Sequence, residues 1–458
     1  RGRGAPRPAA PRPRPAAFGD RPGHALARLH RRRIRVPRPF EQPRAAFYFS
    51  VRSPFANDRP RHAMLSELYV RLVQDQLNEF TYPATLAGLH FDIYRHVRGF
   101  TVKLHGFSAR QASLLEAILP KLREPVLDEA RFAVLKDELR RETVNRRRDR
   151  PYAQTAREVT ALMLKPGWTD EQRLAALAPL TLADLRDYLP VLFSRLELVA
   201  LAHGNVSRSA ARQMADALDE RLLAGAEAVE VPAARIVRLA PGDDFLRRMD
   251  IDHPDSAITV YVQGPDRRLP TRAVTALFAQ LVSAPFYNDL RTEKQLGYVV
   301  FAGPSDLLDV PGVMFVVQSP VATAGVLESY IQAFLHDFVD ALPRMKPAQF
   351  EANKRGLVSR LMQADERLTD RTERLWQEID LGYEAFDSRE QLVAAIEPLT
   401  LGDVAAAARQ WLIGEDSRRL AIVAPGSDTG SGEQAGGEPE IVRSPAPVLI
   451  EYPASFGR

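Results

Sequence analysis

The chain has 458 residues, no cysteine, and a formal net charge of +4 with a sequence pI near 9.3. Without cysteine there is no disulfide framework, no Cys-ligated zinc or iron–sulfur site and no thiol nucleophile; no apolar run approaches the roughly 18–20 residues of a bilayer-spanning helix. The charge is unevenly placed. Residues 1–44 hold 13 Arg against Asp20 and Glu41, a net of +11, and the remainder holds 49 basic and 56 acidic side chains, a net of −7.

The chain opens on residues 1–39, of which 12 are Arg, 8 Pro, 7 Ala and 4 Gly. Such a segment has too little apolar surface to order itself, and it reads as a disordered basic Arg/Pro tail. It admits two readings: a basic arm for nucleic acid or anionic lipid, or GC-rich DNA translated in a shifted frame. Residues 428–458 are Gly/Ser/Pro-rich and read as a second flexible tail.

Between the tails, the sequence repeats itself. AAFYFSVRSP from Ala45 resembles SAITVYVQGP from Ser256. Phe47, Phe49 and Val51 alternate as Ile258, Val260 and Val262 do, the period of a half-buried strand. A helical stripe follows each strand: Leu65, Leu68, Leu72 and Leu77 in one, Val274, Leu277, Leu281 and Phe286 in the other. Gly88 stands 20 residues after Leu68, and Gly297 stands 20 after Leu277. GFTVKLHG from Gly99 answers GVMFVVQS from Gly312, and a closing strand LELVALAHG answers RLAIVAPG. LTLAD from Leu180 answers LTLGD from Leu399, where Thr181 and Thr400 are N-caps with acids in the first turn. The expectation is an α+β fold of two tandem homologous domains, residues 40–235 and 236–427, each a mostly antiparallel sheet packed by helices.

Reactive motifs are scarce. The nine histidines include no pair spaced by three or four, and HxxEH and its relatives are absent. The sequence holds no GxSxG elbow, GxxxxGK phosphate loop or GxGxxG fingerprint. The Arg146–Arg150 run reads as a solvated helix end, and Asp243–Asp244 as a loop or cap.

One segment carries more. PFYNDLRTEKQLGYVVFAGP (285–304), with LYVRLVQDQLNEFTYPATLAGLHFDIYRHVRGF (68–100), resembles the insulysin/pitrilysin (protease III) branch of the insulinase (M16) metalloprotease family. The resemblance is to the C-terminal, non-zinc half of those enzymes and runs over most of residues 40–426. It implies an insulinase-type, processing-peptidase-like fold, and a zinc metalloendopeptidase in which this half forms a chamber wall. Zinc would sit on the missing N-terminal half or on a partner chain, with none bound here. It implies peptide substrates and, from bacterial relatives, the periplasm. Arg291 and Tyr298 match the family's Arg and Tyr, which bind substrate backbone near the scissile bond; the Tyr helps stabilise the tetrahedral intermediate.

The residues themselves are compatible with those roles. Periodicity places Arg291 in a last helical turn, with a fresh turn or kink at Pro285 and a helix stop at Gly297. A guanidinium offers five donors to peptide carbonyls, and a phenol donates while keeping its proton. Alternatively, Arg291 caps its helix and Tyr298 packs in the core. Tyr287 is a candidate apolar subsite; Phe286 fits either that subsite or the core stripe. Acting alone, the chain is expected not to hydrolyse peptides. Two rival readings are a separate non-catalytic subunit paired with a zinc-bearing chain, and a basic-tailed scaffold or nucleic-acid binder whose affinity would fall steeply with salt.

Overall fold

In the computed structural model the described residues are 25–28, 43–427 and 449–450. Most of the two tail segments therefore lies outside the described residues; within them, 25–28 and 449–450 are short strands.

The first sheet is built from β1 (Ala25–Arg28), β2 (Arg44–Arg52), β3 (Leu89–His96), β4 (Gly99–Phe107) and β6 (Arg195–Gly204), in the order β1-β6-β2-β4-β3. Every neighbour in that path is antiparallel. A two-residue β5 (Leu164–Lys165) lies elsewhere, and β7 (Glu227–Ala228) adds to β6. The helices are α1 (Pro60–Leu86), α2 (Gln111–Arg123), α3 (Glu129–Asn145), α4 (Pro151–Met163), α5 (Asp170–Leu177), α6 (Leu182–Leu192) and α7 (Arg208–Leu222).

The second sheet repeats the plan except at its edge, where the pairing is parallel. After β8 (Arg235–Val237) come β9 (Asp244–Arg248), β10 (Ser256–Gln263), β11 (Val299–Pro304), β12 (Gly312–Ser319) and β13 (Arg419–Ala424), in the order β11-β12-β10-β13-β9. Its helices are α8 (Leu269–Tyr287), α9 (Ala324–Ala341), α10 (Pro347–Leu361), α11 (Leu368–Leu381), α12 (Ser388–Ile396) and α13 (Leu401–Trp411). A small third sheet joins β5, β8 and β14 (Leu449–Ile450).

The duplication extends to register. Phe47 faces Leu104 across β2 and β4 as Ile258 faces Val317 across β10 and β12. Thr181 and Thr400 each close a capping box, with Asp184 and Asp403 as the reciprocal partners.

The half-buried expectation for the two repeated strands is corrected, because both β2 and β10 are buried along nearly their whole length. One face of each packs on its own helices, Phe47 and Phe49 against the α1 stripe and Ile258 and Val260 against the α8 stripe. The opposite face is covered by a helix from the other half of the chain. Trp376 and Ile379 of α11 lie on Tyr48 and Leu201 of the first sheet. Val159 and Met163 of α4 lie on Tyr261 and Ile422 of the second. Each large apolar side chain so buried contributes about 1.5–3 kcal/mol, and this reciprocal exchange joins the two sheets into one body.

Candidate functional site around Tyr298

Helix α8 buries Leu277, Phe278, Leu281, Val282 and Phe286. Pro285 lies within it and leaves the Leu281 carbonyl without an i+4 donor. Three residues later the chain widens into a π turn, Asn288–Glu293, closed by Lys294 N–H donating to Asp289 O at 2.9 Å. Such turns are frequent at functional sites. Arg291 lies in that turn.

The expected stop at Gly297 is realised differently. The left-handed residue is Gln295, with φ 53°, not Gly297. Glycine is needed at 297 for close approach: a Cβ there would lie 2.0 Å from the Gln318 carbonyl oxygen. This contact presses the start of β11 onto the end of β12 and brings Tyr298 beside Gln318.

The Tyr298 side chain is 49% exposed, and its hydroxyl enters a closed polar triangle. It donates to Asp255 Oδ2 at 3.0 Å. Gln318 Nε2 donates to the Tyr298 hydroxyl at 2.8 Å and to Asp255 Oδ2 at 2.9 Å. Asp255 and Gln318 are buried, and Asp255 directly precedes β10. The fourth participant comes from the exchanged helix. The Tyr152 N–H, in the first turn of α4, donates to Gln318 Oε1 at 3.3 Å. The Tyr152 ring meets Phe301 of β11 edge-on at 6.4 Å.

Partial burial of the ring, then the Asp255 hydrogen bond and charge, raise the Tyr298 pKa above the ordinary phenol range. The positive charge of Arg150 opposes this shift. At neutral pH Tyr298 is therefore a protonated donor.

Arg291 is exposed, and its guanidinium lies over the Tyr287 ring, 5.0 Å from its centroid. Among the described residues no carboxylate pairs with it, whereas its neighbour Lys294 holds Asp289 at 2.6 Å. Tyr287 is 39% exposed. Phe286 is fully buried, edge-on to Phe315 at 5.4 Å and Phe334 at 5.2 Å. Its assignment as a substrate contact is therefore corrected: it is core, because it falls on the buried stripe of α8.

Of the four residues singled out, Arg291 and Tyr287 touch each other, Tyr298 belongs to the Asp255–Gln318 triangle, and Phe286 is withdrawn. Asp255, Gln318 and Tyr152 were missed. The available signal was a pair of polar residues in otherwise apolar strand segments, Gln318 in VMFVVQS and Asp255 before SAITVYV. The contribution of α4 had no local signal.

The donor set does not fit a metal. Among the described residues no three His, Asp or Glu side chains stand close enough to hold an ion. His90 and His105 stack at 4.9 Å on the first sheet, and among the described residues no further His, Asp or Glu completes a metal-binding group with them. Among the described residues no single helix is long and apolar enough to cross a membrane.

Comparison with known proteins agrees with this architecture. Residues 37–176 match the family model described as the middle or third domain of peptidase M16. Residues 277–376 match the PQQ synthase PqqF-like C-terminal lobe domain 4. Human insulin-degrading enzyme is 30% identical over 386 residues, which is 83% of this chain and 38% of that protein. The nardilysin-like protein of Arabidopsis thaliana is 28% identical over 85% of this chain and 39% of its own length. The chain thus spans well under half the length of these curated relatives. Among solved structures, that of pitrilysin matches with a TM-score of 0.83 at 24% identity, over 91% of this chain and 46% of that one. A peptidase M16 inactive domain from Pseudomonas fluorescens matches with a TM-score of 0.62 at 15% identity, over 85% of this chain and 94% of that one.

Proposed function

Because the chain belongs to the insulinase (M16) family of peptidases, we propose that it is the C-terminal half of a zinc metalloendopeptidase, holding peptide substrates against a zinc-bearing half. In this reading it forms the chamber wall, and its residues bind and orient the peptide. The observation that carries the proposal is the Tyr298 hydroxyl, half-exposed yet fixed by two buried partners and kept protonated at neutral pH.

An O–H held in place donates to the oxygen of an attacked carbonyl as negative charge develops there, with little reorganisation. Among the described residues Arg291 has no acidic partner and rests on the Tyr287 ring, so its fork of donors is available to backbone carbonyls of an extended peptide. Tyr287 adds an aromatic wall beside it. The metal chemistry is assigned to the other half.

The test is cleavage of a quenched fluorogenic peptide by the purified chain, alone and with a zinc-bearing half of the family co-expressed. No cleavage alone, and cleavage in the pair that falls with Tyr298→Phe, is the expected result. Metal-dependent cleavage by the isolated chain would overturn the division of labour. A pair indifferent to Tyr298→Phe would remove Tyr298 from the chemistry.

A further inference from the structure

The triangle around Tyr298 reaches across the two halves of the chain. Gln318 has one amide, and its orientation is settled by its neighbours. Oε1 faces the Tyr152 N–H of α4, so the NH2 group is turned to the two oxygens of Tyr298 and Asp255. The flipped amide would set NH2 against the Tyr152 N–H and oxygen against a carboxylate, losing both of those bonds and keeping one to Tyr298 only by drawing its hydroxyl proton away from Asp255. Asp255 is fixed in turn, because its N–H donates to His253 Nδ1 at 2.9 Å.

We infer that Asp255 and Gln318 are positioning residues for Tyr298, and that the first turn of α4, supplied by the other half of the chain, sets the orientation of Gln318 and through it that of the tyrosine hydroxyl. The inference rests on Tyr298 being the substrate-facing donor proposed above. Its consequence is that exchange of α4 is part of building the site: a chain in which α4 is displaced keeps Tyr298 in sequence but loses its fixed hydroxyl.

The charged and titratable groups facing Tyr298 are Asp255 before β10, Arg150 and Tyr152 at the start of α4, and His253 behind Asp255. Asp255 favours the neutral phenol and Arg150 the phenolate. The test uses the full chain with 13C-labelled tyrosine rings and assigns the Tyr298 signal by its loss in Tyr298→Phe. Asp255→Asn should move the Tyr298 ionisation midpoint to lower pH. Gln318→Met should change the Tyr298 ring shift and speed hydrogen exchange of the Tyr152 amide. An unmoved Tyr298 titration in Asp255→Asn would overturn the inference, as would unchanged Tyr152 exchange in a folded Gln318→Met.

In the assembled enzyme Asp255→Asn should lower kcat on the order of tenfold with KM nearly constant, the pattern of a misoriented donor. The two arms separate the claims. A shifted titration with unchanged kcat keeps the positioning network and removes Tyr298 from hydrolysis; an unshifted titration removes the network whatever the activity.

Discussion

The two sheets share the order and register of four strands, β6-β2-β4-β3 and β13-β10-β12-β11, yet they differ at each position that matters for the site. Counting outward from the matched pairs Phe47–Leu104 and Ile258–Val317, Asp255 corresponds to Arg44 and Gln318 to His105; counting from the matched glycines Gly88 and Gly297, Tyr298 corresponds to Leu89 and Arg291 to Tyr82. Leu89 is buried, His105 stacks on His90, and the Arg44 guanidinium lies over the Phe107 ring at 5.5 Å. The apolar frame is unchanged: Leu77 and Phe286 correspond, and both are fully buried. Duplication therefore kept the packing and rewrote the polar corner, placing a fixed, half-exposed phenol there in the second copy where the first has a buried leucine.

The exchanged helices also correspond, and they hold their sheets by different physics. Thr155, Val159 and Met163 of α4 stand where Thr372, Trp376 and Asp380 stand in α11. Asp380 accepts from Arg52, itself 2% exposed, at 2.8 Å and from Arg98 at 3.0 Å. The second sheet has Gln263 in place of Arg52, its amide accepting from the Leu239 N–H and donating to the Val237 carbonyl, each at 2.9 Å, and it has Met163, packed in an apolar cluster, in place of Asp380. The largest expected effect breaks this contrast. Asp380→Met leaves the buried Arg52 with Glu197 at 3.5 Å as its acidic partner among the described residues, and should cost about 3 kcal/mol in urea unfolding, the low end for a broken buried pair because Asp380 is itself one-third exposed. Adding Arg52→Gln copies the second sheet's solution and should recover part of that loss; a double variant no better than the single one would refute the pairing.

Next in size is the difference between Tyr298 and Leu89. Tyr298→Phe should lower kcat of the assembled enzyme by about 10²–10³-fold, the usual effect of removing one oxyanion donor, with the unfolding midpoint nearly unchanged. Leu89→Ala should do the reverse, destabilising by roughly 2–5 kcal/mol through a core cavity. Comparable effects of both variants on one readout would remove the functional distinction between the copies.

Smaller again is an acid sensitivity belonging to the first sheet. Arg98 N–H donates to His96 Nδ1 at 3.2 Å, so the ring proton is on Nε2, which donates to Ser50 Oγ at 3.0 Å. Burial, then the charges of Arg52, Arg98 and Arg95, hold this imidazole well below its ordinary pKa. The unfolded histidine takes up a proton near pH 6.5 and the folded one does not. Stability is therefore full above about 6.5 and falls as the pH drops below it, by up to roughly 1.4 kcal/mol per unit for this one group. The corresponding residue in the second sheet is Ser305, which does not titrate. Urea melts at pH 7.5, 6 and 5 should show the decline, and His96→Asn should flatten it; an equally steep decline in the variant would place the sensitivity elsewhere.

How far the sequence reaches is visible in the same residues. The strand and helix repeats follow period and spacing, so fold class and duplication were legible. The exchange of α4 and α11 was not, because a helix's apolar stripe does not say which sheet it covers. Phe286 and Tyr298 divide for a related reason: an aromatic on a stripe is placed by periodicity, whereas an aromatic just past a turn is placed by the backbone contact at Gly297. Asp255 and Gln318 become a pair only when β10 and β12 are laid side by side.

The smallest effect concerns the turn that delivers Tyr298. The first copy ends α1 with a left-handed glycine, Gly88 at φ 77°, while the second copy places Gln295 at φ 53°. A side chain in that region costs about 1 kcal/mol relative to glycine, offset in part by the larger unfolded-state entropy that glycine brings. Gln295→Gly should therefore stabilise the chain by less than about 1 kcal/mol and leave Tyr298 in place. A clear loss of stability would mean that the Gln295 side chain holds the turn by its own contacts. A gain in stability accompanied by a changed Tyr298 ring shift would mean that the strained residue, beyond the Gly297 approach, sets the register in which Tyr298 meets Gln318.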